Sequence, residues 1–348
     1  MKLLFRISAV FFFSFTLLTK IIAQDIHLLQ YNSSPQNLNP AQTGLFNGDW
    51  RFVGNYRTQW SAIPVPYNTY SISTDTRINK LPASIENYFK TITPALGLLV
   101  NTDKAGDSKL STTQIYLSAA VIKKLTKDST HFISIGIQPG ITTKSFNTAS
   151  LTFDKQYNGN NYDAGLSNGE NFGNTSITYF DIGTGAVYYW EKTARKKVNI
   201  GFSAFHLTTP KQSFLNNNTI NLDVKTNMSG IASFPVSPKV DVIPSFLFQR
   251  QGKFHETDIG LFGKYYLTPI DGMITAVSLG AFYRAKDAWV MVANMDYKNF
   301  NVGVSYDVNT SQLKVATNNR GAFELSVIYI FKKIIPFVAK KRVCPVYM

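Results

Sequence analysis

Apolar and polar positions alternate with a period of two along most of this chain, and helical periodicity is nearly absent. The last alternating segment is the clearest. Phe323, Leu325, Val327, Tyr329 and Phe331 share one face, with Glu324 and Ser326 opposite. Residues 288–297 repeat the pattern, with Trp289, Met291, Ala293, Met295 and Tyr297 on one face. In the first segment Trp50, Phe52, Gly54 and Tyr56 alternate with Arg51, Asn55, Arg57 and Gln59, and the arginines predict a polar inner face. In the other two segments the bracketing aromatics lie eight residues apart, about 26 Å along a strand at ~3.3 Å per residue. Tilted by about 40°, that covers roughly 20 Å of height, close to the ~25 Å apolar band of a membrane barrel.

Such segments fall at approximately 50–60, 67–76, 95–102, 111–124, 131–145, 177–190, 197–208, 219–232, 239–250, 255–267, 274–285, 287–297, 299–308 and 321–331. They predict an all-β chain, a transmembrane antiparallel β-barrel of about fourteen strands over 49–331, an even number as in bacterial barrels. Pro139 and Pro244 fall inside predicted strands, which a ladder tolerates at bulges or unpaired positions. With both ends of the barrel periplasmic, the Gly- and Asn-rich connection 147–176 is external, and it either folds into the lumen or binds something outside. The same topology puts the long connection 77–94 on the periplasmic side. It also leaves the links after the ninth and eleventh strands short although they lie outside.

The flanks do not alternate. Residues 1–23 read as a secretory signal: Lys2 and Arg6, an apolar run from Ile7 to Leu18, and Ala23 before the expected cut. That run is shorter than the ~20 residues a spanning helix needs, and with no Cys in the signal a lipid anchor is not expected. Residues 24–48 predict a plug in the lumen or a periplasmic segment. Residues 332–348 predict a basic periplasmic tail, with Lys332, Lys333, Lys340, Lys341 and Arg342 and no acid.

Composition supports a membrane barrel over a soluble domain. Mean hydropathy is −0.07, as expected when lipid-facing and lumen-facing residues average out. Aromatics reach 14% while charged residues are only 16%, against about 25% in ordinary soluble domains. The formal charge is +14; export argues against nucleic acid and for anionic lipid head groups or an acidic protein partner. Lone Cys344 excludes an intramolecular disulfide framework.

No chemistry stands out. Gly-rich phosphate loops, paired-Cys sites and metal-binding His pairs are absent from the sequence, so no cofactor and no enzymatic activity are expected. Ser203 and His206 are three residues apart, which on a strand places them on opposite faces, and His206 reads as a rim or turn residue. Asp154, Asp163 and Glu170 in the long loop lack the fixed spacing of a Ca²⁺ site and read as solvated.

Ordered motifs carry a resemblance. Gln30-Tyr31, Leu38-Asn39-Pro40-Ala41-Gln42-Thr43-Gly44 and Tyr56-Arg57-Thr58-Gln59-Trp60 open the chain. Gln156-Tyr157-Asn158-Gly159, Tyr179 through Gly185, Ser203-Ala204-Phe205-His206-Leu207-Thr208-Thr209-Pro210, and Gly280 through Asp287 follow in order. Together they resemble the PorP/SprF family of outer-membrane proteins of type IX secretion and gliding motility. The resemblance implies an outer-membrane location and partners among secretion components. It also implies binding of a secreted cargo, often a surface adhesin recognised by its C-terminal domain, to assist export or anchoring. It implies no catalytic residues. Asn39, Pro40, Gly44, Gln156, Tyr157, Asp181, His206 and Pro210 are motif positions expected to have a structural or partner role, with Asn39-Pro40 setting a turn and Gly183 and Gly185 easing close packing. The alternative reading is a channel for small or hydrophobic solutes with an N-terminal plug, similar to fourteen-stranded fatty-acid channels.

Overall fold

Fourteen antiparallel strands close into one barrel in the computed structural model, which describes residues 25–59, 66–78, 92–148, 151–170, 173–214, 220–268, 275–311 and 320–333. The strands are β1 (Trp50–Gln59), β2 (Tyr67–Arg77), β3 (Ile92–Ala105), β4 (Leu110–Lys124), β5 (His131–Ser145), β6 (Ser176–Thr193) and β7 (Lys196–Phe205). They continue as β8 (Lys225–Ser237), β9 (Val240–Gln251), β10 (Phe254–Tyr266), β11 (Thr275–Arg284), β12 (Ala288–Tyr297), β13 (Phe300–Asn309) and β14 (Arg320–Phe331). Each pairs with its neighbours in sequence, and β1 closes on β14 with Trp50 opposite Phe331. Closure leaves no free edge, the condition for a sheet in lipid.

Alternation decides which side chains meet lipid. Ile72, Leu117, Ile135, Ile137, Phe202 and Leu279 are exposed on the outer surface. Aromatics bound this band at both ends, with Trp50, Tyr297, Phe300 and Phe331 at one and Tyr67, Tyr283, Trp289 and Tyr306 at the other. We call the end where the wall starts and finishes the near rim, and the other the far rim. The outward and inward residues expected for β1, β12 and β14 all lie on their expected faces.

Two expectations shift. β7 was expected to reach residue 208 and β8 to begin at 219. Instead β7 stops at Phe205, because His206 and Thr209 take positive φ (59° and 41°) and turn the chain into a far-rim connection. Pro210 O then accepts the Leu222 N–H (2.9 Å), so β8 begins only at Lys225. The prolines obey the ladder rule. The β4–β5 register breaks off between Tyr116–Gly140 and Ala119–Ile137, around Pro139. The β8–β9 register breaks off between Ile231–Ser245 and Phe234–Val242, around Pro244. The signal, most of the basic tail and Cys344 lie outside the described residues.

Candidate functional site

Inside the barrel lies the chain's own N-terminal segment. Three short helical turns, Tyr31–Ser33, Pro35–Leu38 and Pro40–Gln42, occupy the lumen, and most of residues 28–44 are buried. The segment runs from the far rim, where Asp25 meets residues at the tops of β8 and β9, to the near rim, where Asp49 N–H donates to Phe331 O (2.9 Å). Its path is fixed at three levels.

At the near rim, Arg51 and Asp75 form a buried two-pronged pair, Nε to Oδ1 at 2.9 Å and Nη2 to Oδ2 at 2.7 Å. Both also grip main chain: Arg51 donates to Gln42 O (3.0 Å), and Asp75 accepts the Gly44 N–H (2.7 Å). Gly44 has φ +76°, a conformation only glycine takes without strain, and it lies against Ala95 and Arg77. Leu45 packs beside an apolar cluster of Ala95, Ala120 and Ile122.

At mid-height, Asn39 acts as a clasp. Its Nδ2 donates to the carbonyls of Ala186 (3.1 Å) and Phe202 (3.0 Å), a cross-strand pair of β6 and β7, while its Oδ1 caps the next turn through the Ala41 N–H (2.9 Å). That approach needs bare backbone. A β-carbon on Gly185 would overlap Asn39 Oδ1, and one on Gly136, its partner across β5–β6, would lie 2.6 Å from Pro40 O. Gly183 packs instead against the Phe205 ring. Ser203 (2.7 Å) and Asn227 (3.1 Å) both donate to Leu38 O, and Gln36 donates to Thr74 O (3.0 Å). Across the lumen, Glu324 accepts the N–H groups of Leu29 (2.6 Å) and Gln30 (3.0 Å).

The inner wall is not polar throughout. Leu247, Phe262, Phe282, Val290 and Val292 point inward and form one buried cluster with Leu29, Tyr31 and Leu38. Tyr31 and Phe282 ring centroids are 5.1 Å apart. The polar lumen expected from Arg51 and Arg57 holds for β1, whereas the wall from β9 to β12 supplies half of an ordinary core.

At the far rim, His206 Nδ1 lies 2.5 Å from Asp181 Oδ2, and its Nε2 lies 3.3 Å from Asp25 Oδ2. Lys225 Nζ reaches the same Asp25 oxygen at 3.2 Å, and Tyr116 OH donates to Asp181 (2.9 Å). Burial opposes charge on the imidazole, but Asp25 and Asp181 lift His206 to about 9. Burial likewise opposes charge on Asp25, yet Lys225 and His206 hold its carboxyl well below the usual range.

The motif positions therefore separate. Asn39, Pro40 and Gly44 lie in the lumen, and Asp181 and His206 join in the far-rim cluster. His206 is a turn residue as expected, but a buried one. Having left the strand, it shares the inner side with Ser203, although each bonds a different partner. Gln156 and Pro210 are buried within far-rim connections, and Tyr157 is exposed. The described residues of the long connection are mostly exposed, Tyr157, Tyr162 and Leu166 among them. Asp154, Asp163 and Glu170 are exposed, and no group of acids, His or Cys among the described residues is arranged to hold a metal ion. Sequence reasoning missed Asp25, Asp75 and Glu324 as anchors; their only local signal is charge at an inward or unassigned position.

Residues 21–329 match the family described as type IX secretion system membrane protein PorP/SprF. The chain belongs to this family. It is an outer-membrane protein that works among other type IX secretion components. No curated protein matches the sequence. Among solved structures it is similar to the CymD monoaromatic hydrocarbon channel (TM-score 0.46, 9% identity, 86% of this chain and 93% of that one). It is also similar to a Pseudomonas aeruginosa FadL homologue (0.43, 9%, 86% and 94%) and to the P. putida toluene transporter TodX (0.45, 9%, 85% and 93%).

Proposed function

We propose that this PorP/SprF barrel docks a secreted protein, a large surface adhesin, by that protein's C-terminal domain, and assists its export or holds it at the surface. The observation that carries this reading is the filled lumen in a chain of a secretion family. A segment held by hydrogen bonds and ion pairs at three levels leaves the rims and the segment itself as surfaces for a partner, and it occupies the space a solute would use. In this reading the near rim faces the periplasm and the 146–175 connection faces outward. Lys333 N–H donates to Asp49 (2.7 Å) at the near rim, and the basic residues that follow it in sequence are the part that would dock an acidic periplasmic component.

The test is a mild-detergent pull-down of the tagged protein from its own outer membrane, followed by mass spectrometry. Recovery of a large surface protein, lost when that protein's C-terminal domain is deleted, supports docking. A clean preparation without secretion partners contradicts it and favours the solute-channel alternative, to be measured by flux in liposomes.

A further inference from the structure

The wall grips the inner segment through its side chains, Asn39 and Gln36 among them, and at several points through its main chain. Glu324 takes two N–H groups, Asp75 takes one, and Ser203, Asn227 and Arg51 donate to two carbonyls. The main-chain contacts do not depend on side-chain identity, and the apolar cluster asks for anchors at the places of Leu29, Tyr31 and Leu38.

The fit of the resident segment is incomplete. Asn55 is buried on the inner face with neither its Nδ2 nor its Oδ1 paired, and Arg57 Nε and Asn227 Oδ1 also lack partners. Such groups are costly when unsatisfied, so a different chain, or water beside it, has bonds to gain here. Arg57 sits directly across from Glu324 in the β1–β14 ladder without a direct ion pair, while each Glu324 oxygen accepts an N–H of the segment. When the segment leaves, Glu324 is free to close on Arg57, which spares the emptied wall a buried lone carboxylate.

We propose that the lumen is an exchangeable peptide site: residues 25–44 are its resident ligand in cis, and a largely uncharged segment of the secreted partner takes their place. The identity of the incoming chain rests on the cargo-docking reading; exchange itself does not.

The experiment uses the full folded chain with a protease site inserted after exposed Asn47 and cut after purification, the barrel monitored by its heat-modifiable gel mobility. The probe is a fluorescent synthetic peptide of residues 24–47. The cut barrel is expected to release its segment and take up the probe at a rate set by release, independent of probe concentration. Arg57→Gln should slow uptake at least roughly tenfold, since the emptied wall then holds an unpaired acid. A barrel cut instead after exposed Asn160, its segment still tethered, should take up none. Retention of the resident segment without uptake overturns the proposal, as does equal uptake by the Asn160-cut barrel, which would place the probe elsewhere. Uptake together with a failed pull-down would sink cargo docking and leave the peptide site standing.

Discussion

At Gly185 a single methyl group decides whether Asn39 can reach the carbonyls of Ala186 and Phe202. Gly185→Ala should lower barrel stability by about 1–3 kcal/mol, the usual cost of overpacking, read as an earlier heat-induced shift in gel mobility. Gly263→Ala is the control, because a β-carbon there meets nothing within 4 Å. No change in the first or an equal loss in both would contradict the clasp. Glu324→Gln makes a second residue-scale case: one amide oxygen cannot replace two carboxylate oxygens, and its NH₂ faces an N–H. The segment should loosen, with protection of the Leu29 and Gln30 amides from hydrogen exchange falling by roughly 1–3 kcal/mol. These sites were half legible in the sequence. Asn39-Pro40 reads as a turn and Gly183 and Gly185 as sites of close packing, but no local pattern links residues so distant along the chain.

Among elements, the strands were legible because lipid outside and packing inside enforce strict alternation. The boundary at β7–β8 was not, because Leu207, Ile220 and Leu222 continue an apolar rhythm through a connection that the positive φ at His206 has already turned aside. That turn is part of the latch holding Asp25. His206 is raised from 6.5 to about 9, so its contribution is fully present below 6.5 and is lost as pH rises through about 9. Asp25 is lowered, so its contribution is present above 3.8 and fades as pH falls below that. The stability gap between wild type and His206→Asn should therefore be widest between these limits and close towards alkaline pH. A gap that widens above 9 would overturn the assignment of charge to this latch.

For the whole molecule, the barrel and its strand number follow from alternation, whereas the nature of the lumen does not. Inward Phe262, Phe282, Val290 and Val292 are indistinguishable in sequence from lipid-facing residues of a strand apolar on both faces, and only their packing on Leu29, Tyr31 and Leu38 gives them a role. Orientation is a matter for cells: an epitope placed at exposed Asn160 should bind antibody on intact cells, and labelling only after lysis would invert the topology. The central claim, that the lumen is filled by the protein's own segment, is tested most directly by conductance of the purified protein in planar bilayers. A closed barrel, without ion-conducting steps until the segment is cut free after Asn47 and washed out, is the expected result. A steady open-pore current from the intact protein would contradict the account.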